Sequence, residues 1–340
     1  MIRARTLISI AVALALVMAL MPTVALAAEE GTSTGSFTLG NALPIVNTVA
    51  LWDTAGTPAA ATAMTPQMEY NVKVNVTDTN TLGTLQTVTV TIFYDLNGTY
   101  DAGDVPVAGN VQTAAILTWT NVEPDPNTWT IDGVSGGGSW SIVSGSCVEP
   151  TLGDSTGDFE FHFIPGAVAT ETDATSRWHI YAEAADGTGT DDNYQDNRTM
   201  NWYGEVTNVT GAVGFGSVAL GSTNTVSTSA VSVTYIANGA YNEQVKAMTP
   251  WVGQTSATEL TLNTDGTPGA AEFSLKADDD DTVADAVQVT AAYLTFDTGT
   301  ITPEAGNIEA DNHLWLSLGA SGIPAEEYQG TIYYLIANGS

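Results

Sequence analysis

The feature that most constrains this chain is a recurring alternation of apolar and polar residues. In MEYNVKVNV, Met68, Tyr70, Val72, Val74 and Val76 alternate with Glu69, Asn71, Lys73 and Asn75. Successive side chains of a strand point to opposite faces, so such a stretch reads as a half-buried β-strand. VTVTIFY repeats the pattern with Val88, Val90, Ile92 and Tyr94 on one face. Further runs of this kind are AAILTWT (114–120), SWSIV (139–143), DFEFHF (158–163) and RWHIYAEA (177–184). The second half adds VSVTYIA (231–237), EQVKAMTPW (243–251), AEFSLKA (271–277), AVQVTAAYLTF (286–296), HLWLSL (313–318) and GTIYYLIA (330–337). Beyond the N-terminal leader no stretch sustains a 3.6-residue period. Clusters of Gly, Asp, Asn and Pro separate the runs. Strands linked by turns without helices predict an all-β chain of antiparallel sandwiches. The pattern restarts near residue 206, which predicts one sandwich over 42–205 and a second over 206–340.

The N-terminus predicts export. Arg3 and Arg5 precede the apolar run TLISIAVALALVMALMPTVALA, which ends in Ala25-Leu26-Ala27. This is the layout of a secretory signal peptide, residues 1–27. The run is marginally long enough to span a bilayer, but the small-x-small ending and the acidic residues after it point to cleavage. Residues 28–41 are small and polar and read as a flexible leader. No membrane span is expected in the mature chain. Cys147 is the sole cysteine, so no intramolecular disulfide can form; a buried thiol and an intermolecular bridge both remain open.

Acidic residues number 38 against 7 basic ones, for a formal net charge of −31. Both leader arginines are basic, so the mature part is more acidic still. Such a surface repels nucleic acid and anionic lipid and suits divalent cations, high salt or a solvated outer face. Charged residues are nonetheless only 13% of the chain, so the outer faces must be largely Thr, Ser, Asn, Gln and Gly.

Three stretches carry a family resemblance. The segment Trp178 to Gly187, a strand ending in AEAADG, is similar to the penultimate strand and turn of immunoglobulin-like modules of prokaryotic surface proteins. FGSVALGSTNTVSTSAVSVTYIANGAYNEQVKAMTPW resembles the opening of another such module, and YQGTIYYLIAN its closing strand. The resemblance implies two tandem immunoglobulin-like antiparallel β-sandwich domains after the signal peptide. It also implies an exported structural or interaction protein of the cell surface, such as an S-layer or envelope coat component. Its partners would be other envelope proteins or further copies of itself, with strand addition at exposed sheet edges as one route. The alternative is a secreted adhesin or carbohydrate-binding module. The resemblance carries over no catalytic or binding residue.

Motifs for catalysis are weak. GDSTG at 153–157 matches G-x-S-x-G, but a nucleophile elbow needs a helix after the serine, and an alternating strand follows instead. His162, His179 and His313 each sit in an alternating strand, without the spacing of a metal pair; solvated sheet-face histidines are expected. GVSGGGS (133–139) lacks the lysine and helix of a phosphate cradle. No enzyme activity is expected. Trp178 alternates in phase with Ile180, Ala182 and Ala184 and reads as core. Trp119, Trp129 and Trp140 lie close together in a Gly- and Pro-rich region and offer either sheet–loop packing or a sugar-stacking platform. Sequons for N-glycosylation occur at Asn75, Asn97, Asn197, Asn208 and Asn338.

Three acidic clusters complete the inventory: Asp95, Asn97, Asp101 and Asp104; Asp186, Asp191, Asp192 and Asp196; and Asp278 to Asp281. Calcium takes six to eight oxygen ligands, which an acidic Gly-rich loop can supply. The first cluster is not an EF-hand, because Gly98 falls at the fourth position and Pro106 stands where a glutamate would close the loop. It is the candidate for an irregular calcium loop, with a glycan acceptor at Asn97 and a plain polar turn as competing readings. The third cluster reads as a solvated turn, since adjacent like charges repel.

Overall fold

The computed structural model describes residues 34–38, 40–56, 63–104, 114–132, 140–299 and 308–339. The expected signal peptide and the Gly-rich stretch 133–139 lie outside the described residues. Ten strands build the first half: β1 (Ile45–Asp53), β2 (Ala63–Met64), β3 (Tyr70–Thr77), β4 (Leu85–Asp95), β5 (Ala114–Thr120), β6 (Thr128–Ile131), β7 (Ser141–Ile142), β8 (Thr156–Ile164), β9 (Arg177–Asp186) and β10 (Thr190–Met200). Twelve build the second: β11 (Gly204–Val209), β12 (Thr225–Val226), β13 (Val231–Ala237), β14 (Tyr241–Ala247), β15 (Trp251–Gly253), β16 (Glu259–Leu262), β17 (Glu272–Asp278), β18 (Val287–Gln288), β19 (Leu294–Gly299), β20 (Ile308–Leu318), β21 (Tyr328–Gln329) and β22 (Ile332–Asn338). The fold class is all-β, as the alternation predicts.

In the first half a four-stranded sheet, β1-β3-β8-β7, faces a six-stranded sheet, β2-β10-β9-β4-β5-β6. The alternating residues fill the space between them. Val72, Val74 and Val76 of β3, Val88, Val90 and Ile92 of β4, and Phe159, Phe161 and Phe163 of β8 are all fully buried. Each such side chain contributes about 1.5–3 kcal/mol relative to exposure. Trp178 sits in the same core, as expected, with its indole N–H donated to the Thr170 carbonyl. Met68 lies outside the strand and is exposed.

In the second half a long mixed path, β11-β13-β20-β17-β16-β15-β21, packs against a three-stranded sheet, β19-β14-β22. Among the described residues two pairings, β2 with β10 and β16 with β17, are parallel, and the other strand pairs are antiparallel. The predicted run 243–251 divides here. It pairs as β14 in one sheet up to Ala247 and as β15 in the other from Trp251, with Pro250, which has no amide hydrogen for a ladder, between them. The predicted run 286–296 likewise divides into β18 and β19.

Asn41–Ser340 forms one compact unit. Within it the chain passes from the first core, which includes Met200, to the second, against which Trp202 packs. Asn238, in the turn between β13 and β14, is fully buried at this crossing. Its side chain donates to the carbonyls of Ala169 and Asn201 and accepts from the Tyr203 amide. Its backbone carbonyl accepts from the Glu171 amide. A Cβ on Gly239 would collide with Glu171, so glycine is what allows the two halves to approach.

Candidate functional site

The first acidic loop does not gather its carboxylates. Asp95 accepts from the Asn97 amide, Asn97 from the Thr99 amide and Asp104 from the Asp101 amide, so these groups close successive polar turns. The loop is anchored by an aromatic residue instead. Tyr100 stacks on Tyr194 with ring centroids 3.8 Å apart and lies edge-on over His179. His179 is therefore fully buried beside Phe93, with its Nε2 3.7 Å from the Asp95 Oδ2. The expectation of a solvated His179 is corrected: the alternation assigns it to the outer face, but the loop folds over that face. Gly98 has φ of +70°, and a Cβ there would run into the Thr175 carbonyl.

Two members of the second acidic cluster, Asp186 and Asp191, accept from backbone amides. Asp186 accepts from the Thr188 and Gly189 amides of its own turn. Asp191 accepts from the Val46 amide, and Gln195 from the Leu51 amide. Asn193 donates to the Val46 and Asn47 carbonyls. Side chains of β10 thus cover the outer edge of β1, the terminal strand of its sheet.

The expected aromatic platform is not exposed. Trp119 is fully buried against Phe159, with its N–H donated to Glu149. Trp140 is 3% exposed and stacks on Phe163, and Trp129 packs edge-on to Phe161. Trp119 and Trp140 belong to the core, while Trp129 is half-buried and packs against its margin. The GDSTG segment is structural too. It leads straight into β8, and a Cβ on Gly157 would collide with Pro150. His162 bonds Glu69 at 2.8 Å on the outer face of the four-stranded sheet, beside the Lys73–Glu160 pair. Cys147 is a free, partly buried thiol whose pKa burial pushes up.

Of the sequons, Asn97, Asn197, Asn208 and Asn338 are exposed. Asn75 is half-buried, and its side-chain amide donates to Asp158 at 2.6 Å.

Three features lie outside those expectations. Glu243 is 1% exposed and accepts from the Tyr235 hydroxyl at 2.8 Å. Burial pushes its carboxyl up to about 7, opposed by the Tyr235 hydrogen bond and helped by the charges of Asp297 and Asp279. Its signal was legible: in β14 it stands in phase with the buried Tyr241, Val245 and Ala247. The second feature is a cavity of about 810 Å³, lined by Phe215, Val231, Trp251, Phe273, Leu316 and Tyr334 among others. The indole N–H of Trp251 and the hydroxyl of Tyr334 are buried without a hydrogen-bond partner. The third is the β17–β18 loop, where the expected solvated turn holds for the exposed Asp279, Asp280 and Asp281 but is corrected for Asp278, which is buried. Ligand atoms of Asp278, Asp280 and Asp285 lie within 4.8 Å of one another. Burial, with the Asp279 and Asp285 carboxylates beside it, pushes Asp278 up to about 6. Among the described residues no helix is long and apolar enough to cross a membrane.

No protein-family model matches the chain, and no curated protein matches it either. Among solved structures it aligns with the C-terminal domain of the Streptococcus pyogenes antigen I/II-family protein AspA at 9% identity and a TM-score of 0.24, over 86% of this chain and 95% of that one. The C-terminal domain of the Streptococcus agalactiae AgI/II polypeptide BspA aligns at 9% identity and a TM-score of 0.21, with the same coverage. At these scores the likeness carries neither fold nor function.

Proposed function

We propose that this chain is an exported, non-catalytic structural or interaction protein of the cell surface. It holds two β-sandwich halves in fixed relation and offers their acidic, polar outer faces to neighbouring envelope proteins or to further copies of itself. The observation that carries this reading is the junction at Asn238. Its buried side chain bonds Ala169, Asn201 and Tyr203, a suitable device for a spacer whose parts must not swing. The signal-peptide pattern of residues 1–27 supports the address. The test is to locate the tagged full-length chain in its native cell. The expected result is loss of residues 1–27 by N-terminal sequencing, and cleavage by protease added to intact cells. Retention in the cytosol with an intact N-terminus overturns the reading.

A second reading, a binding module, rests on the cavity in the second half. Its mixed walls, with Phe215, Phe273 and Leu316 beside Glu326 and Glu327, and the unpartnered donors of Trp251 and Tyr334 suit an amphipathic molecule carrying oxygen acceptors. Anilinonaphthalene sulfonate is a practical probe. Saturable fluorescence enhancement with the native protein, abolished by the cavity-filling Val231→Trp, supports this reading. Enhancement that is absent, or unchanged in the variant, sinks it.

A further inference from the structure

We infer that the β17–β18 loop is a divalent-cation site, with Asp278, Asp280 and Asp285 as its carboxylate ligands. The inference does not depend on the proposed surface role.

Two separate observations meet there. The first is convergence: one oxygen from each residue falls within 4.8 Å of the other two. Calcium–oxygen distances are about 2.3–2.6 Å, so two ligands of one ion stand at most about 5 Å apart. The trio falls inside that limit. The second is an unmet need. Asp278 is only 7% exposed, and its Oδ2 is buried with no hydrogen-bond partner. Its other oxygen accepts from the Asp279 amide at 2.9 Å. A buried carboxylate oxygen without a donor is costly, and a cation bound by Asp278 through Oδ2 would offset that cost.

The frame is firm and the mouth is open. Asp278 is the last residue of β17, paired with β20 across from His313. The loop's far end returns as β18, which pairs with Lys276 and Ala277 and delivers the fully buried Val289. Asp280 and Asp285 are exposed, so an ion reaches them from solvent and keeps water in its remaining positions. Asp279 and Asp281 add negative potential, and Asp281 stands 3.7 Å from His313. An all-oxygen, carboxylate-rich site open to solvent favours calcium over magnesium, which demands a tighter octahedron.

The experiment is calorimetric titration of the mature full chain with calcium chloride, repeated with magnesium chloride. The expected result is one saturable calcium site with weaker magnesium binding. Asp280→Asn/Asp285→Asn, both at exposed positions, is expected to weaken it at least tenfold. Asp101→Asn/Asp104→Asn removes the same charge from the other acidic loop and is expected to leave it unchanged. Absence of saturable calcium binding overturns the inference, as does equal binding by Asp280→Asn/Asp285→Asn. Equal weakening by both double variants also overturns it, since the general acidic field would then be the cause.

Discussion

Single residues in this protein are decided by what is packed over them. Gly98 makes the point. Its left-handed φ and the Thr175 carbonyl beside it leave no room for a Cβ, and a side chain in that region is strained. Gly98→Ala is expected to destabilise by about 2–4 kcal/mol, read as a lowered urea midpoint. Glu243 shows the electrostatic counterpart. Its folded pKa, about 7, lies above the ordinary 4.5. The folded state therefore holds the proton more tightly, and the contribution is complete below about pH 4.5. It is lost as pH rises through about 7, by on the order of 2–3 kcal/mol. Asp173, Asp265 and Glu326 have lowered values, so their contributions vanish in the opposite sense, under more acidic conditions. The Glu243 share is isolated by comparing urea stability at pH 5 and pH 8 in the protein and in Glu243→Gln. The difference should shrink in the variant, which still accepts from Tyr235.

At the scale of elements, β1 and β10 are the informative pair. β10 has almost no apolar face; only Met200 at its end is buried. Its hold on β1 is polar, through Asp191, Asn193 and Gln195. We expect Gln195→Ala to expose the Leu51 amide, raising its hydrogen-exchange rate at least tenfold while amides at the centre of β4 keep theirs. Unchanged exchange at Leu51 would show that the edge is protected by other means. β1 itself escapes the alternation test, because a bulge between Val46 and Thr48 shifts its phase. Its buried residues therefore fall at Val46, Val49 and Leu51, an interval of three and then two. By contrast β5 and β13 match their alternating runs residue for residue.

For the whole molecule the question is whether the two halves act as one. Asn238 is the buried link. Asn238→Ala removes three hydrogen bonds and leaves the Ala169 and Asn201 carbonyls and the Tyr203 amide short of partners. A loss of about 2–4 kcal/mol is expected. The sharper readout is cooperativity: a single unfolding transition in the protein should separate into two in the variant. If the variant unfolds in one transition at unchanged denaturant concentration, the junction does not couple the cores.

The alternation determined by itself that this chain is all-β, and it placed most strands and the buried valines and phenylalanines of the first core. It did so because strand geometry is local: one residue up, the next down, with only water and core to choose between. Apart from Glu243, whose phase in β14 already marks it as inward, the tertiary structure decided which polar residues are inside. His179 lies under Tyr100, Asn238 between two cores, and Asp278 at the foot of a loop that returns over it. It also turned Trp119 and Trp140 from a stacking platform into core, and moved the convergent carboxylates from Asp95–Asp104 to Asp278, Asp280 and Asp285. Burial of an outer face and convergence of side chains depend on which distant segment lands there, and no local period encodes that.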